Sequence, residues 1–123
     1  MQKFKVFLVF VSGIAFVFGG CNANEPPGQP RVGITLAENK SYEASLYRQN
    51  CAMCHGVEGY GKELQGQQVP SLRTGDISKK SEEEIYQQIA TGKPPMPSFK
   101  FQMTEEEMRR MAKFIYKDLQ GRK

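Results

Sequence analysis

The feature that most constrains the fold of this chain is a five-residue segment near its middle, Cys51-Ala52-Met53-Cys54-His55. It places two thiols beside the only histidine of a 123-residue chain. The pattern C-x-x-C-H is the attachment sequence of haem c, in which each thiol forms a thioether with one vinyl group of the haem. The histidine that follows at once is placed to bind the iron as proximal ligand. We therefore predict one covalently bound haem c, held by Cys51, Cys54 and His55.

Three other uses of this cysteine pair compete with haem attachment. A structural zinc ion requires four ligands, and the sequence offers no suitable fourth beside Cys51, Cys54 and His55. A thioredoxin-like redox dithiol would stand near a βαβ pattern, and none is visible. A disulfide across two residues would leave His55 without a role. Export of the protein would favour haem, because haem c is attached outside the cytoplasm in bacteria.

The first 20 residues have the features of an export signal. Lys3 and Lys5 precede an almost entirely apolar run over residues 6–18, which Gly19 and Gly20 follow. The run suits the core of a signal peptide and is short for the roughly 20 residues of a membrane-spanning helix. It is also the only long apolar run in the chain, which excludes a multi-helix membrane protein.

Cys21 comes directly after the two small residues Gly19 and Gly20. This arrangement resembles the lipobox of bacterial lipoproteins, in which the cysteine is linked to diacylglycerol and becomes the new N-terminus. An ordinary secretory signal and an uncleaved anchor are the alternatives. We expect a signal peptide over residues 1–20 and a lipid on Cys21. The protein would then be exported and held on a bacterial membrane, facing the periplasm or the cell exterior.

The charge of the exported chain argues against nucleic acid as a partner. Loss of residues 1–20 removes Lys3 and Lys5 and lowers the formal charge from +4 to +2. A nucleic-acid-binding domain carries a pronounced basic patch, which +2 over the remaining chain does not provide. The basic isoelectric point of the full sequence is therefore a poor guide to partners.

Residues 21–40 are expected to form a flexible tether between the lipid and a domain over 41–123. The segment is rich in proline, glycine and asparagine, which disfavour regular structure before Arg31. Val32, Ile34 and Leu36 alternate with polar or small residues. This alternation predicts either a short strand or, as we prefer, a strap that lies on the core.

Helical patterns fill much of the domain. A helix is predicted over residues 41–49, with Leu46 and Tyr47 on its apolar side. Ser81 and Thr104 each stand three residues before a glutamate, which is the capping-box pattern of a helix start. The first of these helices should end near Thr91, before Gly92, and bury Ile85 and Ile89. The second carries apolar residues on one face up to a stop at Gly121, namely Met108, Met111, Ala112, Ile115 and Leu119.

The chain resembles the class I cytochrome c family over roughly residues 41–120. The attachment motif at 51–55 and the segment 92–99, which contains Met96 41 residues after His55, carry the resemblance. It implies an all-α, small cytochrome c fold of three to four helices wrapped around one covalent haem. It also implies that the carbonyl of Pro70 accepts the ring N–H of the proximal histidine, whereas the alternative is a proline that only stiffens a loop.

The family's first helix crosses the last at a small residue. Glu43 occupies that position, so Ala44 is expected to serve.

The resemblance further implies a methionine as distal iron ligand. Met96 stands between Pro95 and Pro97, which exclude a helix and favour a stiff loop suited to holding a sulfur on iron. Met103, just before a helix, is the rival, and an open coordination site is the third reading. Histidine and methionine together raise the reduction potential of a haem.

These features predict an electron carrier and not an enzyme. An electron carrier needs rigid ligands and an exposed haem edge, and the sequence shows no convincing catalytic dyad. We expect a monomer that exchanges electrons with respiratory complexes, an oxidase or a dehydrogenase. The alternatives are a cytochrome subunit of a larger oxidoreductase, and a haem enzyme or gas sensor with a displaceable distal ligand. Lys62, Lys93 and Lys100 could form a positive rim for an acidic partner, or be ordinary solvated lysines.

Overall fold

A computed structural model of the protein describes residues 32–123. The predicted signal peptide, Cys21 and residues 22–31 of the predicted tether lie outside the described residues. Within 32–123 the chain forms two helices, α1 (Tyr42–Asn50) and α2 (Ala52–His55), and then two strands, β1 (Lys62–Leu64) and β2 (Gln67–Val69). A 3-10 helix (Gly75–Lys79) follows, and then the helices α3 (Glu82–Thr91) and α4 (Glu105–Phe114) and a π-helix (Ile115–Leu119).

Both predicted capping boxes are confirmed. The hydroxyl of Ser81 accepts the backbone N–H of Glu84, and the Glu84 carboxylate accepts the backbone N–H of Ser81 at 2.7 Å. Thr104 and Glu107 make the same exchange at the start of α4, where the N–H of Thr104 donates at 2.8 Å. These bonds satisfy N–H groups that a helix start otherwise leaves unpaired. Helix α3 ends at Thr91, before Gly92, as predicted.

The core lies where α4 packs against α1 and α3. The five apolar residues predicted for one face of the last helix are all buried: Met108, Met111, Ala112, Ile115 and Leu119. The predicted inward residues of the earlier helices are buried too: Leu46, Tyr47, Ile85 and Ile89. None of the helices within 32–123 has the length and apolar character needed to cross a membrane.

Helix α1 contributes Ala44 to the core and Glu43 to the surface. Ala44 is fully buried, whereas the carboxylate of Glu43 lies 3.3 Å from the guanidinium of Arg110 on α4. The glutamate therefore turns away from the core and pairs with the neighbouring helix. This arrangement agrees with the expectation that Ala44 replaces the small residue at the crossing.

The prediction of a strictly all-α fold is wrong in one element. Strands β1 and β2 form an antiparallel hairpin, in which Leu64 pairs with Gln67. The turn residues Gln65 and Gly66 both have positive φ, 52° and 77°, as the tight two-residue turns of hairpins require. The hairpin spans residues 62–69, for which the sequence predicted no strand.

The last helix also differs from a uniform α-helix. It is α-helical to Phe114 and continues as a π-helix, in which the N–H of Gln120 donates to the carbonyl of Ile115 at 3.1 Å. Ile115 and Leu119 remain buried despite the wider turn. The face predicted to be apolar therefore stays buried where the α-helix gives way to the π-helix.

Residues 32–37 form the predicted strap, without a strand. Leu36 is fully buried and Ile34 packs on the core. The N–H of Ile34 donates to the carbonyl of Asp118 at 3.0 Å, which ties the strap to the end of the chain. The proposed boundary between tether and domain at residue 40 stays a prediction, although the hydrogen-bonded part of the chain already includes this strap.

Candidate haem site

The attachment motif lies where α1 passes into the short helix α2. The N–H of Cys51 continues α1 by donating to the carbonyl of Tyr47 at 2.8 Å, and the N–H of His55 donates to the carbonyl of Cys51 at 2.9 Å. Cys51 and Cys54 are therefore one helical turn apart, and both are free thiols of intermediate exposure. This spacing presents two sulfurs together, as attachment to two vinyl groups requires.

The imidazole of His55 is buried and oriented by a backbone carbonyl. Its Nδ1 lies 3.0 Å from the carbonyl oxygen of Pro70, the contact that the family resemblance implied. With Nδ1 donating to Pro70, Nε2 keeps its lone pair and is free to bind a metal. Burial lowers the pKa of His55, and the bond to Pro70 opposes this effect only in part. The neutral imidazole, which is the form that binds iron, is therefore favoured.

The fold around the motif disfavours the competing uses of the cysteine pair. Burial, reinforced by the neighbouring Cys54, raises the pKa of the Cys51 thiol to about 12. Among residues 32–123, no group of three or more histidine, cysteine or acidic side chains is arranged to hold a metal ion. The strands in this range form only the antiparallel hairpin, so a βαβ context for a redox dithiol is missing as well.

Met96 lies in a loop that is closed by paired backbone bonds. The N–H of Met96 donates to the carbonyl of Lys93 at 2.8 Å, and the N–H of Lys93 donates back at 3.0 Å. Met96 is partly buried against the core. The rival Met103 is a buried core residue, 5% exposed, in the same cluster as Met108 and Met111. Met103 therefore packs as a core residue, and the assignment of Met96 as the iron ligand stays a prediction.

The loop between the motif and Pro70 has chemistry that fits haem c. The hydroxyl of Tyr60 is buried there without a hydrogen-bond partner among residues 32–123. A buried hydroxyl that lacks a partner costs free energy, so an acceptor is expected beside it. The carboxylates of a haem are acceptors of the right kind. Together with the two thiols and the free Nε2 of His55, this hydroxyl indicates that the residues present fit the group.

A buried ion pair organises the same loop, and sequence reasoning missed it. The carboxylate of Glu58 lies 3.1 Å from the guanidinium of Arg73, and both side chains are almost fully buried. Arg73 also donates to the carbonyls of Glu58, Val32 and Ile34, the last at 2.7 Å. Charged residues in a glycine-rich segment look like surface residues, so no local signal distinguished them.

Sequence reasoning missed Gln88 as well, although the sequence contained a signal for it. Its side-chain amide lies 3.8 Å from the sulfur of Met96. Gln88 falls between Ile85 and Ile89 on the inward side of α3, and a polar residue on an apolar face is informative. By contrast, Lys62, Lys93 and Lys100 are simply exposed, and their role toward a partner stays a prediction.

Comparison with known proteins agrees with this geometry. Residues 42–115 match the family described as "Cytochrome C oxidase, cbb3-type, subunit III". Among solved structures, the chain is similar to the KustC0563 c-type cytochrome, with 31% identity and a TM-score of 0.50 over 58% of this chain and 90% of the other. For a tyrosine-to-phenylalanine mutant of Kustc0563 the identity is 29% and the TM-score 0.52, over 60% and 94% of the two chains. No curated protein matches the chain.

The family match includes α1, the attachment motif, the Met96 loop and the whole of α4. It therefore spans the elements that bring Cys51, Cys54 and His55 together. The chain belongs to this family of c-type cytochromes and carries one covalently bound haem c.

Proposed function

We propose that this cytochrome is a one-electron carrier whose iron is bound by His55 and Met96 in both oxidation states. The observation that carries the proposal is that hydrogen bonds hold both ligand-bearing segments. Pro70 orients the ring of His55 at 3.0 Å, and the backbone pair between Lys93 and Met96 closes the other loop. Ligands held in this way need little rearrangement when the iron gains or loses an electron.

The bound haem supplies the one-electron Fe(III)/Fe(II) chemistry. The residues of the chain bind, orient and shield it. Cys51 and Cys54 hold it covalently, so it stays in place in either oxidation state. Pro70 makes the imidazole of His55 a stronger donor. With an imidazole and a thioether as its ligands, the iron would favour the reduced state, which would place the potential in the upper range of haem proteins.

The carrier is proposed to be exported and anchored to a bacterial membrane through a lipid on Cys21. The signal-like residues 1–20 and the small residues before Cys21 support this. An anchor would confine the domain to the periplasmic or outer face of the membrane, where it would exchange electrons with respiratory complexes. Mass spectrometry of the membrane-extracted haem protein should find diacylglycerol on Cys21 as its first residue. An unmodified Cys21, or a chain that keeps residues 1–20, would overturn lipid anchoring.

A second candidate is a cytochrome subunit of a larger oxidoreductase, and the description of the matching family favours it. A bound subunit would co-purify with its complex after mild detergent extraction. A free carrier would migrate alone, as a monomer. Co-purification would change the proposed partner, whereas the proposed haem chemistry would stay the same.

The test of the ligand assignment is the absorption spectrum of the oxidised holoprotein. Bonding between methionine sulfur and ferric iron gives a weak band at the red end of the visible range. Met96→Ala should abolish this band and lower the reduction potential. Met103→Leu, which changes the rival with little change in volume, should keep both.

A band that survives in Met96→Ala would overturn the assignment of Met96. Carbon monoxide gives an independent reading on the reduced protein. A carrier with two firm ligands should bind it slowly and incompletely. Fast, complete binding would replace the carrier with the third candidate, a haem enzyme or gas sensor with a displaceable ligand.

A further inference from the structure

We propose that Gln88 is a positioning residue for Met96. Its side-chain amide donates a hydrogen bond to the thioether sulfur, and this bond raises the reduction potential and makes the sulfur easier to displace from ferric iron. The inference rests on the proposed role of Met96 as distal ligand. It adds a residue that the attachment motif and the family match do not identify.

The contact joins the amide nitrogen Nε2 of Gln88 to Sδ of Met96, 3.8 Å apart. Thioether sulfur is a weak acceptor, and its hydrogen bonds are longer than those to oxygen. Gln88 is partly buried on α3, with buried Ile85 and Ile89 beside it. A polar side chain on this face needs a partner, and the sulfur of Met96 provides one.

The rest of the Met96 loop is attached to the same end of α3. The N–H of Phe99 donates to the carbonyl of Ile89 at 3.1 Å. The hydroxyl of Ser98 donates to the carbonyl of Ala90 at 2.6 Å. Backbone bonds therefore fix the loop, whereas Gln88 acts on the sulfur itself. Replacing Gln88 should change the electronic character of the sulfur while the fold of the loop is kept.

The chemistry follows from the two lone pairs of a thioether. One pair can bind iron, and the other remains to accept a hydrogen bond. A donor on the second pair withdraws electron density, which makes the sulfur a poorer ligand for Fe(III) and favours Fe(II). A typical net hydrogen bond corresponds to about a fivefold change in an equilibrium constant. At about 59 mV per tenfold change for one electron, that is about 40 mV.

The chain offers a matched control in the adjacent residue. Gln87 is exposed on α3, and its amide donates to the carboxylate of Glu83 at 2.8 Å, away from Met96. Gln87→Leu makes the same chemical change on the same helix without touching the sulfur. Any shift in potential that comes only from altering α3 would appear in both variants.

The experiment compares the holoprotein with its Gln88→Leu, Gln88→Ala and Gln87→Leu variants. Reduction potentials are measured by spectroelectrochemistry, and the rate of imidazole binding to the ferric form is followed by absorbance. Gln88→Leu should shift the equilibrium toward Fe(III) about fivefold and slow imidazole binding several-fold, because the sulfur becomes a stronger ligand for Fe(III). Gln87→Leu should match the wild type. Gln88→Ala also lacks the N–H donor and adds no charge, so it gives the same test if the leucine variant does not take up haem.

The outcomes separate this inference from the proposed function. If Met96→Ala loses the red band while both Gln88 variants keep the wild-type potential and imidazole rate, the role of Gln88 is overturned and Met96 remains the ligand. If Met96→Ala keeps the band, the assignment of Met96 fails, and the role of Gln88 fails with it. Equal shifts in the Gln87 and Gln88 variants would also overturn the inference, because they would trace the effect to the helix.

Discussion

Two regions of this cytochrome are stabilised in opposite ways. Helices α3 and α4 begin with capping boxes, in which each bond joins residues three positions apart on the exposed surface. The loop over residues 56–73 is held by buried contacts between residues far apart in sequence. Arg73 alone binds carbonyls 15, 39 and 41 positions away, those of Glu58, Ile34 and Val32.

The difference has a consequence for how each region responds to change. A capping bond satisfies one N–H group at a helix end, and water can replace it when it is lost. A buried guanidinium or carboxylate that loses its partner has no such replacement. The loop next to the haem should therefore be far more sensitive to single substitutions than the helix starts.

Arg73→Leu is the strongest challenge to this comparison. The substitution leaves the carboxylate of Glu58 buried without its cation and frees the carbonyls of the strap. We expect a loss of about 3–5 kcal/mol in the free energy of unfolding. Denaturant unfolding of the holoprotein, followed by haem absorbance and by circular dichroism, measures it.

Arg110→Leu is the control for Arg73→Leu. Arg110 is half-exposed and pairs with Glu43 at 3.3 Å and Glu106 at 3.4 Å. Exposed ion pairs contribute about 0–1 kcal/mol each, so its loss should be small. Addition of Glu58→Gln to Arg73→Leu should recover part of the lost stability, since no charge then stays buried. Equal costs for the two arginines would remove the distinction between the regions.

The sequence predicted the helical frame well because the rules that form it are local. Capping residues and apolar positions at helical spacing lie within a few residues of one another, so Ser81, Thr104 and Met111 could be placed without tertiary information. The attachment motif is also local. The contact between His55 and Pro70 came from family resemblance, because their 15-residue separation shows no pattern of its own.

The remaining features depend on tertiary contacts. Glu58 and Arg73 are buried because the strap crosses the end of the π-helix at that point, which the sequence of neither segment reveals. The hairpin escaped prediction because its strands are largely polar and exposed. The pair Gln65-Gly66 was the available signal, since a glycine in a two-residue connection favours a tight hairpin turn. Gln88 could have been found as a polar residue on an apolar helix face.

Two glycines, one just before the hairpin and one in its turn, differ in how closely the surrounding backbone packs against them. Gly61 and Gly66 have nearly the same backbone angle, with φ of 79° and 77°. A Cβ at Gly61 would overlap the carbonyl oxygen of Val69 and lie 2.8 Å from the carbonyl carbon of Pro70, whereas a Cβ at Gly66 meets nothing within 4 Å.

Gly66→Ala should therefore cost about 1–2 kcal/mol, the penalty for a left-handed alanine. Gly61→Ala should cost more, because the backbone that leads to Pro70 must also move. It should also alter the haem spectrum, since Pro70 orients His55. The measurements are unfolding free energies and absorption spectra of the two holoproteins. Indistinguishable variants would show that close packing at Gly61 does not matter.

The smallest effects are expected at the helix starts. Thr104→Ala removes the hydroxyl that caps α4 and should cost about 1 kcal/mol, whereas Thr104→Ser should cost little.

The cap also predicts a pH dependence. Hydrogen bonds from the hydroxyl of Tyr42 and from Thr104 lower the pKa of Glu107 below its usual 4.5. A carboxylate whose pKa is lowered by folding stabilises the protein above its unfolded pKa, and this contribution is lost as pH falls through the folded value. Unfolding measured from neutral pH down through the glutamate range should therefore show a shallower acid-induced loss in Glu107→Gln. Glu106→Gln, which removes a carboxylate from the same turn without touching the cap, should keep more of the wild-type slope. If instead it flattens the curve as much as Glu107→Gln does, the pH dependence reflects the general charge of the helix start and not the capping bond.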